Sequence, residues 1–273
     1  MKLKKRSILI VFTTTIICFL LVINNYIYTT IKDSQAFEPL SASFKDSGEI
    51  EPSKYVYLTF DDGPTHVVTD ALLDVLKKEK VKATFFIVGK EVVGKEAILK
   101  RIYNEGHAIG LHTYSHNFKK IYRSEDEFIK EMKKASNTIE EVTGSSPKII
   151  RFPGGSSKRL NSSSLNDLHK NNFKIYDWNV NLCDGITPHL SVSQLIKNSK
   201  IIRGNKNMAI ILMHCNSNNK NTVKALPEII KYYLDSGYKF KAITEATPEY
   251  YYKFKNEKNL TTKWGYYYNC VFN

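Results

Sequence analysis

Two adjacent carboxylates, Asp61 and Asp62, end a short apolar stretch within TFDDGP. Two negative charges beside buried residues are costly unless a cation or a proton uses them. Val56, Leu58 and Phe60 alternate with less apolar residues, which predicts a strand that is buried on at least one face. Alternation would point the two carboxylates in different directions, so that one could bind a metal while the other takes a proton. The alternative is an Asp-Gly-Pro turn that caps the following helix.

A second candidate is the segment HTYSH, in which three residues separate His112 from His116. This spacing would place both imidazoles on one side of a helical turn, where they could bind one metal ion. Taken alone, such a pair is more often two solvated or core histidines.

Further polar residues follow later apolar stretches. Arg151 opens the segment RFPGG, whose glycines leave backbone N–H groups open to a ligand. Asp184 follows another stretch, and His214 ends the run LMH. The glycines could form an ordinary loop, and a single histidine at the end of a strand is usually structural. The recurrence of polar residues after five strands favours a common site.

The elements that must position these residues alternate between strands and helices. Repeated strand-helix units predict parallel strands with helices outside, either in a barrel or in a doubly wound sheet. In a barrel, functional side chains gather at the carboxyl ends of the strands. The predicted strands are 55–60, 83–88, 107–111, 148–152, 174–180, 208–213 and 240–243, and the predicted helices are 67–79, 91–104, 125–142, 163–171, 192–202 and 222–236.

The ordered series TFDDGP, HTYSH, RFPGG, DWNVNLCDG and LMH resembles the polysaccharide deacetylases of the NodB-homology type, carbohydrate esterase family 4. The resemblance covers residues 54–246. It implies an α/β fold, a deformed (β/α) barrel, and the removal of N- or O-acetyl groups from sugars with one divalent metal ion.

Carried onto this chain, the resemblance implies that Asp62, His112 and His116 bind the metal. Zinc suits two imidazoles and a carboxylate, and cobalt, nickel or iron is also compatible with them. Asp61 would be the general base. Arg151 would pair with Asp61 and keep it ionised.

The resemblance also assigns the acid side of the reaction. His214 would protonate the leaving amine, and Asp184 would hold its imidazole and raise its pKa. The N–H that follows Pro153, at Gly154, would stabilise the oxyanion together with the metal.

Two positions depart from the family pattern. Gly154 stands where an aromatic residue is frequent, which predicts a more open wall of the sugar groove. Gly185 stands where tryptophan is common after the aspartate. We interpret both as changes in substrate contact.

The remaining segments are appendages of one folded domain. Residues 1–6 are basic, and residues 7–28 are predicted to be an uncleaved signal-anchor helix, with a cleaved signal peptide as the alternative. Residues 29–53 form a predicted extracellular stalk, 54–246 the catalytic domain and 247–273 a Tyr- and Lys-rich extension. The extension could pack on the domain or contact glycan.

The formal net charge of +13 would suit a polyanionic partner. With an exported domain, an anionic cell envelope is the expected partner rather than nucleic acid.

The cysteines Cys18, Cys183, Cys215 and Cys270 lack the spacing of a metal site. Cys183 and Cys215 each flank a candidate site residue, so a disulfide between them is a hypothesis.

The leading functional hypothesis is a membrane-anchored extracellular enzyme that deacetylates N-acetylglucosamine in cell-wall glycan, foremost peptidoglycan, as a monomer. Chitooligosaccharide, acetylated xylan, poly-N-acetylglucosamine and muramic acid residues are alternative substrates. A non-catalytic wall-binding protein is the second hypothesis. A serine hydrolase is disfavoured because the chain has no G-x-S-x-G, and Ser156 and Ser157 lack a spaced triad.

Overall fold

A computed structural model describes residues 53–187 and 189–252. Eight parallel strands form one sheet in the order β5-β4-β3-β2-β1-β7-β6, and β8 pairs with the beginning of β1. The strands are β1 Lys54–Gly63, β2 Thr84–Ile87, β3 Ala108–Leu111, β4 Ile149–Ile150, β5 Lys174–Ile175, β6 Val180–Asn181, β7 Met208–His214 and β8 Tyr238–Phe240. The α-helices are Val68–Lys78, Glu96–Asn104, Phe118–Ile121, Glu125–Thr143, Ser162–Lys170, Val192–Ser199 and Lys220–Asp235, and a 3-10 helix spans Gly89–Val92.

The sheet curls into a half-barrel, so the prediction of a parallel α/β fold is confirmed and that of a barrel is confirmed in this open form. Across the described residues, the path of paired strands ends at β5 on one side and β6 on the other. No helix in this part of the chain is long and apolar enough to cross a membrane. The predicted signal-anchor helix, residues 7–28, lies outside the described residues.

Strand β1 is the centre of the sheet and is covered on both faces. Its even-numbered residues Val56, Leu58 and Phe60 belong to the large apolar core that also includes the helices. Tyr57 faces the other way, into a smaller cluster on the concave side of the sheet. Successive side chains of a strand point to opposite faces, so Thr59 and Asp61 share the concave side with Tyr57.

The concave side is apolar in its lower part and polar at the carboxyl ends of the strands. The small cluster of Tyr57, Phe86, Ile149, Tyr176, Trp178, Ile210, Leu212 and Ile243 fills it. Above this cluster lies the fully buried Arg151, whose guanidinium stacks on the Phe86 ring at 4.1 Å. The polar candidates therefore share a floor that excludes water from one side.

Several predicted elements differ from the observed ones. The predicted strand 174–180 is two short strands, because a segment from the C-terminal end of the described chain inserts between them: Tyr250 donates its N–H to the Ile175 carbonyl at 3.1 Å and accepts from the Asp177 N–H at 2.6 Å. The predicted helix 91–104 is a 3-10 turn followed by a helix from Glu96. The short helix Phe118–Ile121 was not predicted, since four residues are too few to show a period.

The hypothesis of a Cys183–Cys215 disulfide is wrong. Cys215 is a free and buried thiol. Its Sγ lies 3.2 Å from the Asp61 carbonyl, and a Cβ on Gly63 would come within 2.6 Å of it. Cys215 therefore packs against the backbone of Asp61 and Gly63, behind the turn that carries the two aspartates.

Candidate metal and acid-base site

Asp62, His112 and His116 converge at the carboxyl ends of β1 and β3. Asp62 Oδ1 lies 3.6 Å from His112 Nε2 and 3.4 Å from His116 Nε2. One ligand atom from each of the three residues lies within 4.8 Å of the others. With metal-ligand bonds of about 2.0 to 2.2 Å, three atoms this far apart can share one zinc ion.

The two histidines meet through a loop and not through a helical turn, so the predicted helical geometry of HTYSH is wrong. Thr113 and His116 have positive φ angles of 64° and 51°. The His116 N–H donates to Thr113 Oγ1 at 3.1 Å, which closes the loop on itself. Left-handed residues reverse the chain within a few positions and bring the two rings to a centroid distance of 5.1 Å.

The histidines present the nitrogen that a metal would need. His112 Nδ1 lies 2.9 Å from the Arg151 carbonyl, and a hydrogen bond donated there leaves Nε2 unprotonated toward Asp62. Burial, together with the neighbouring His112, lowers the pKa of His116 to about 4. Both features favour neutral imidazoles, which is the form that binds metals.

Asp61 and Asp62 face the same site although they are neighbours in a strand. Asp62 has a φ of 74°, and the register between β1 and β2 shifts between Asp61 and Gly63. This irregularity turns the Asp62 side chain toward the side of the sheet on which Asp61 lies. Asp61 Oδ2 is 3.7 Å from His112 Nε2, so both carboxylates face the same histidine. Burial raises the pKa of Asp62, but His112, His214 and His116 outweigh it and leave the pKa below its ordinary value.

Arg151 is held by four hydrogen bonds in the interior. Its Nη1 donates to Asp61 Oδ1 at 2.9 Å and to Thr59 Oγ1 at 2.6 Å. Its Nε donates to the Tyr176 carbonyl at 2.7 Å, and Nη2 donates to the Asp177 carbonyl at 3.1 Å. Asp61 is thus a buried carboxylate with a fixed cationic partner, as the resemblance implied.

His214 lies beside Asp61 at the end of β7, where the two residues share a register position. Its Nδ1 lies 2.8 Å from Asp184 Oδ1, and its backbone N–H donates to Asp184 Oδ2 at 3.0 Å. Thr222 Oγ1 donates to the same Oδ2 at 2.7 Å. Burial lowers the pKa of His214, but the charge and hydrogen bond of Asp184 outweigh it and raise the pKa to about 9.

Gly185 lies directly against the His214 ring, a contact that the interpretation of this position from sequence did not include. A Cβ there would come within 2.3 Å of His214 Cε1 and 2.5 Å of Nε2. Real side chains do not approach so closely, so any larger residue would displace the ring as it is placed here. The position of the His214 ring therefore requires glycine at residue 185.

The loop after β4 holds the predicted oxyanion donor. Gly154 has a φ of 76°, and the Pro153 carbonyl accepts from Tyr122 Oη at 2.6 Å. The next N–H, of Gly155, donates to the Phe152 carbonyl at 2.8 Å. The loop is thereby fixed on both sides of the Gly154 N–H.

Asp177, the first residue of the segment DWNVNLCDG, is a buried carboxylate that was not among the residues selected for the site. Its Oδ1 accepts from the Ser156 N–H at 3.1 Å, and its Oδ2 accepts from the Tyr252 N–H at 3.0 Å and from Ser156 Oγ. Burial raises the pKa of Asp177 to about 6. Asp177 thus connects the loop after β4, through Ser156, to Tyr252 at the C-terminal end of the described chain.

All nine residues selected from the sequence lie at the carboxyl ends of the strands. The cluster joins a place for a divalent cation, a carboxylate next to it and an imidazole held by a second carboxylate. Such a set can activate water on one side of an acyl bond and protonate the leaving group on the other.

Comparisons with known proteins give one family. Residues 48–176 match the model of the family described as Polysaccharide deacetylase. A peptidoglycan-N-acetylglucosamine deacetylase of Bacillus cereus is 36% identical over 197 residues, which cover 71% of this chain and 71% of that protein. A putative polysaccharide deacetylase of Bacillus subtilis is 37% identical over 200 residues, with 71% and 68% covered.

Solved structures agree with the sequence relatives. A polysaccharide deacetylase from Bacillus cereus matches with a TM-score of 0.64 and 36% identity, over 70% of this chain and 93% of that one. The catalytic domain of a peptidoglycan N-acetylglucosamine deacetylase from Eubacterium rectale matches with a TM-score of 0.66 and 31% identity, over 77% and 97%. A Streptococcus mutans CE4 esterase gives a TM-score of 0.65 at 32% identity, over 70% and 87%.

Proposed function

Since the chain belongs to the polysaccharide deacetylase family, we propose that it is a metal-dependent hydrolase that removes the acetyl group from N-acetylglucosamine in cell-wall glycan. Peptidoglycan is the proposed substrate. Two relatives described above are named as deacetylases of its N-acetylglucosamine.

One observation carries this proposal: the metal-type cluster of Asp62, His112 and His116 stands next to a buried Asp61 and across from His214. A protein that only bound glycan would have no need for this set. The buried Asp61–Arg151 pair and the buried Asp184 cost desolvation energy, and a reaction gives them a use.

Asp62, His112 and His116 would hold the ion. When bound, a divalent ion supplies a Lewis acid that polarises the acetyl carbonyl and makes water a better nucleophile at neutral pH. Zinc fits two neutral imidazoles and a carboxylate, and cobalt, nickel or iron also accepts this set.

The other residues move or steady protons and charge. Asp61 takes the proton from the attacking water, and Arg151 holds Asp61 in place. The Gly154 N–H donates to the oxyanion that forms as the water adds to the carbonyl. His214 gives its Nε2 proton to the amide nitrogen as the carbon-nitrogen bond breaks, which releases acetate and a free amino sugar. Asp184 positions His214 through Nδ1.

The direct test is acetate release from purified peptidoglycan by the zinc-loaded protein, with Asp61→Asn as the informative variant. An asparagine still offers an oxygen to Arg151 Nη1 but cannot take a proton. Loss of a general base is expected to lower the rate roughly 10²- to 10⁴-fold. Metal content and the unfolding midpoint of the variant should stay close to those of the wild type.

A panel of glycans separates the remaining substrates. Chitooligosaccharide, acetylated xylan, poly-N-acetylglucosamine and N-acetylated muramic acid residues would be compared with peptidoglycan under the same conditions. Faster release from one of them would replace peptidoglycan as the substrate. No release from any of them with metal supplied would contradict the proposed reaction and favour a non-catalytic wall-binding role.

We also propose that residues 7–28 anchor a monomer in the cell membrane, with residues 54–246 and the extension 247–273 outside. Support comes from the uncharged stretch after a basic start and from the wall as substrate. Fractionation of cells that express the full chain tests this. Recovery in the membrane fraction supports an anchor, whereas recovery of a shortened chain from the medium would show a cleaved signal.

A further inference from the structure

Phe118 is a large apolar side chain that stays exposed next to the candidate metal site. Its relative exposure is 44%. Its ring lies edge-on to the ring of His116, with a centroid distance of 5.4 Å. The exposed ring therefore borders the candidate metal site directly.

The ring is fixed by its surroundings and is not a freely moving surface group. Phe118 begins a short helix whose N-cap, Asn117, accepts the Lys120 N–H at 3.2 Å. Lys120 Nζ in turn lies 2.6 Å from a buried Glu131 oxygen. The other oxygen of Glu131 accepts the Ser115 N–H at 2.6 Å, so one carboxylate holds both sides of the His116 loop.

A stack of aromatic rings supports Phe118 from behind. Its neighbour Tyr122 lies edge-on at 5.8 Å, and Tyr122 stacks on Phe128 at 5.8 Å. Phe128 stacks on Phe152 at 4.3 Å, beside the oxyanion loop. A ring held this firmly loses little freedom when a ligand covers it.

Phe118 also occupies the space over Gly154. A Cβ on Gly154 would lie 3.3 Å from Phe118 Cε1. Gly154 was predicted to leave one wall of the sugar groove open. The Phe118 ring, from a different segment, covers that wall. The metal ligand, the oxyanion donor and the exposed ring adjoin one another.

We propose that Phe118 is the aromatic surface on which the sugar ring that carries the reacting acetamide stacks. One face of a pyranose ring carries C–H groups with partial positive charge, and the face of a phenyl ring is negative. Stacking would orient the sugar with its acetamide toward the metal and Gly154. This inference rests on the proposed function, because it assigns a contact for the substrate proposed there.

Binding tests the inference without relying on turnover. The zinc-loaded Asp61→Asn protein would be titrated calorimetrically with the N-acetylglucosamine tetramer, alone and combined with Phe118→Ala, Phe118→Tyr or Tyr103→Ala. Tyr103 is a matched control because it is aromatic, 45% exposed and near the end of the helix Glu96–Asn104. We expect Phe118→Ala to weaken binding roughly five- to tenfold, whereas the other two variants bind like the parent.

Three results would overturn the inference. The first is a tetramer affinity that does not change in Phe118→Ala, and the second is no tetramer binding by the parent. The third is a loss of zinc in Phe118→Ala, measured by metal analysis, because the ring would then support His116 and not the sugar.

Failure of the proposed function is a separate outcome. It would show as absent acetate release by the wild-type protein while tetramer binding still depends on Phe118. Normal acetate release together with unchanged binding in Phe118→Ala would leave the function standing and remove the aromatic contact.

Discussion

At the scale of single residues, His214, the proposed acid, depends on the buried carboxylate of Asp184. Asp184 uses one oxygen for His214 Nδ1 and the other for the His214 N–H and Thr222. Asp184 is the largest of the influences that raise the pKa of His214 to about 9, so without its charge burial would lower that pKa, opposed only by the weaker effects of Asp62 and Asp61. Asp184 therefore determines the pH range in which His214 carries a proton.

Replacing Asp184 by asparagine should move the alkaline limb of the profile of kcat/KM to lower pH. In the proposed mechanism His214 acts in its protonated form, so activity would be lost as the pH rises through its pKa, and a lower pKa would bring that loss to lower pH. We expect a shift of about two pH units, measured by acetate release across pH. Thr222→Val, which removes one hydrogen bond but no charge, should shift the limb less. An unmoved limb in Asp184→Asn would show that another group controls it.

Gly185 is the second residue whose role lies in its contact with His214. Gly185→Ala should lower kcat about 10²-fold, since a Cβ within 2.3 Å of the imidazole must displace it and small misplacements of reacting groups cost this much. Zinc content should not change. Kinetics on peptidoglycan fragments would measure the effect.

Gly94→Ala serves as the control for Gly185→Ala. Gly94 has a φ of 75° and no atom within 4 Å of its added Cβ. Backbone strain from a Cβ in the left-handed region should lower the free energy of unfolding of this variant by about 1 to 2 kcal/mol without a change in kcat. Equal losses of kcat in the two variants would point to general destabilisation and against displacement of His214.

At the scale of elements, the long periodic segments could be predicted from sequence and the short irregular ones could not. The helix Glu125–Thr143 has the predicted start and ends one residue later, because Ser124 caps its first turn and Gly144 adopts the left-handed conformation after it. The HTYSH segment is a loop and not the helical turn expected from its spacing. Thr113 and His116 adopt positive φ angles, and no residue pattern in the sequence indicates that they do. The right residues were thus selected for a geometry that only the folded chain shows.

The missed Asp177 shows the same limit at the junction of two segments. Its partners Ser156 and Tyr252 are 21 and 75 positions away, so no local spacing reveals them. Because it satisfies buried donors, Asp177→Ala should lower the free energy of unfolding by about 2 to 4 kcal/mol. Chemical denaturation would measure it.

Asp235→Ala is the comparison for Asp177→Ala. Asp235 is exposed and pairs only with Lys231 at 2.7 Å among the contacts described, so its loss should cost under about 1 kcal/mol. If Asp177→Ala were no less stable than Asp235→Ala, the hydrogen bonds of Asp177 to Ser156 and Tyr252 would not contribute to stability.

At the scale of the whole molecule, metal binding should be linked to stability. The three proposed ligands come from β1 and from the loop after β3, and they converge only in the folded chain. Zinc at 100 times its Kd should therefore stabilise the protein by about 2.7 kcal/mol, visible as a higher Tm that a chelator reverses. The gain should disappear in His116→Ala but persist in His189→Ala, whose histidine is exposed. Equal gains in both variants would place the ion elsewhere.

The most direct test of the metal site is an anomalous difference map at the zinc absorption edge, from crystals of the zinc-loaded protein. The account predicts one strong peak about 2.0 to 2.2 Å from an Asp62 carboxylate oxygen, His112 Nε2 and His116 Nε2. A map with no peak there, or with its peak on other side chains, would contradict the central claim.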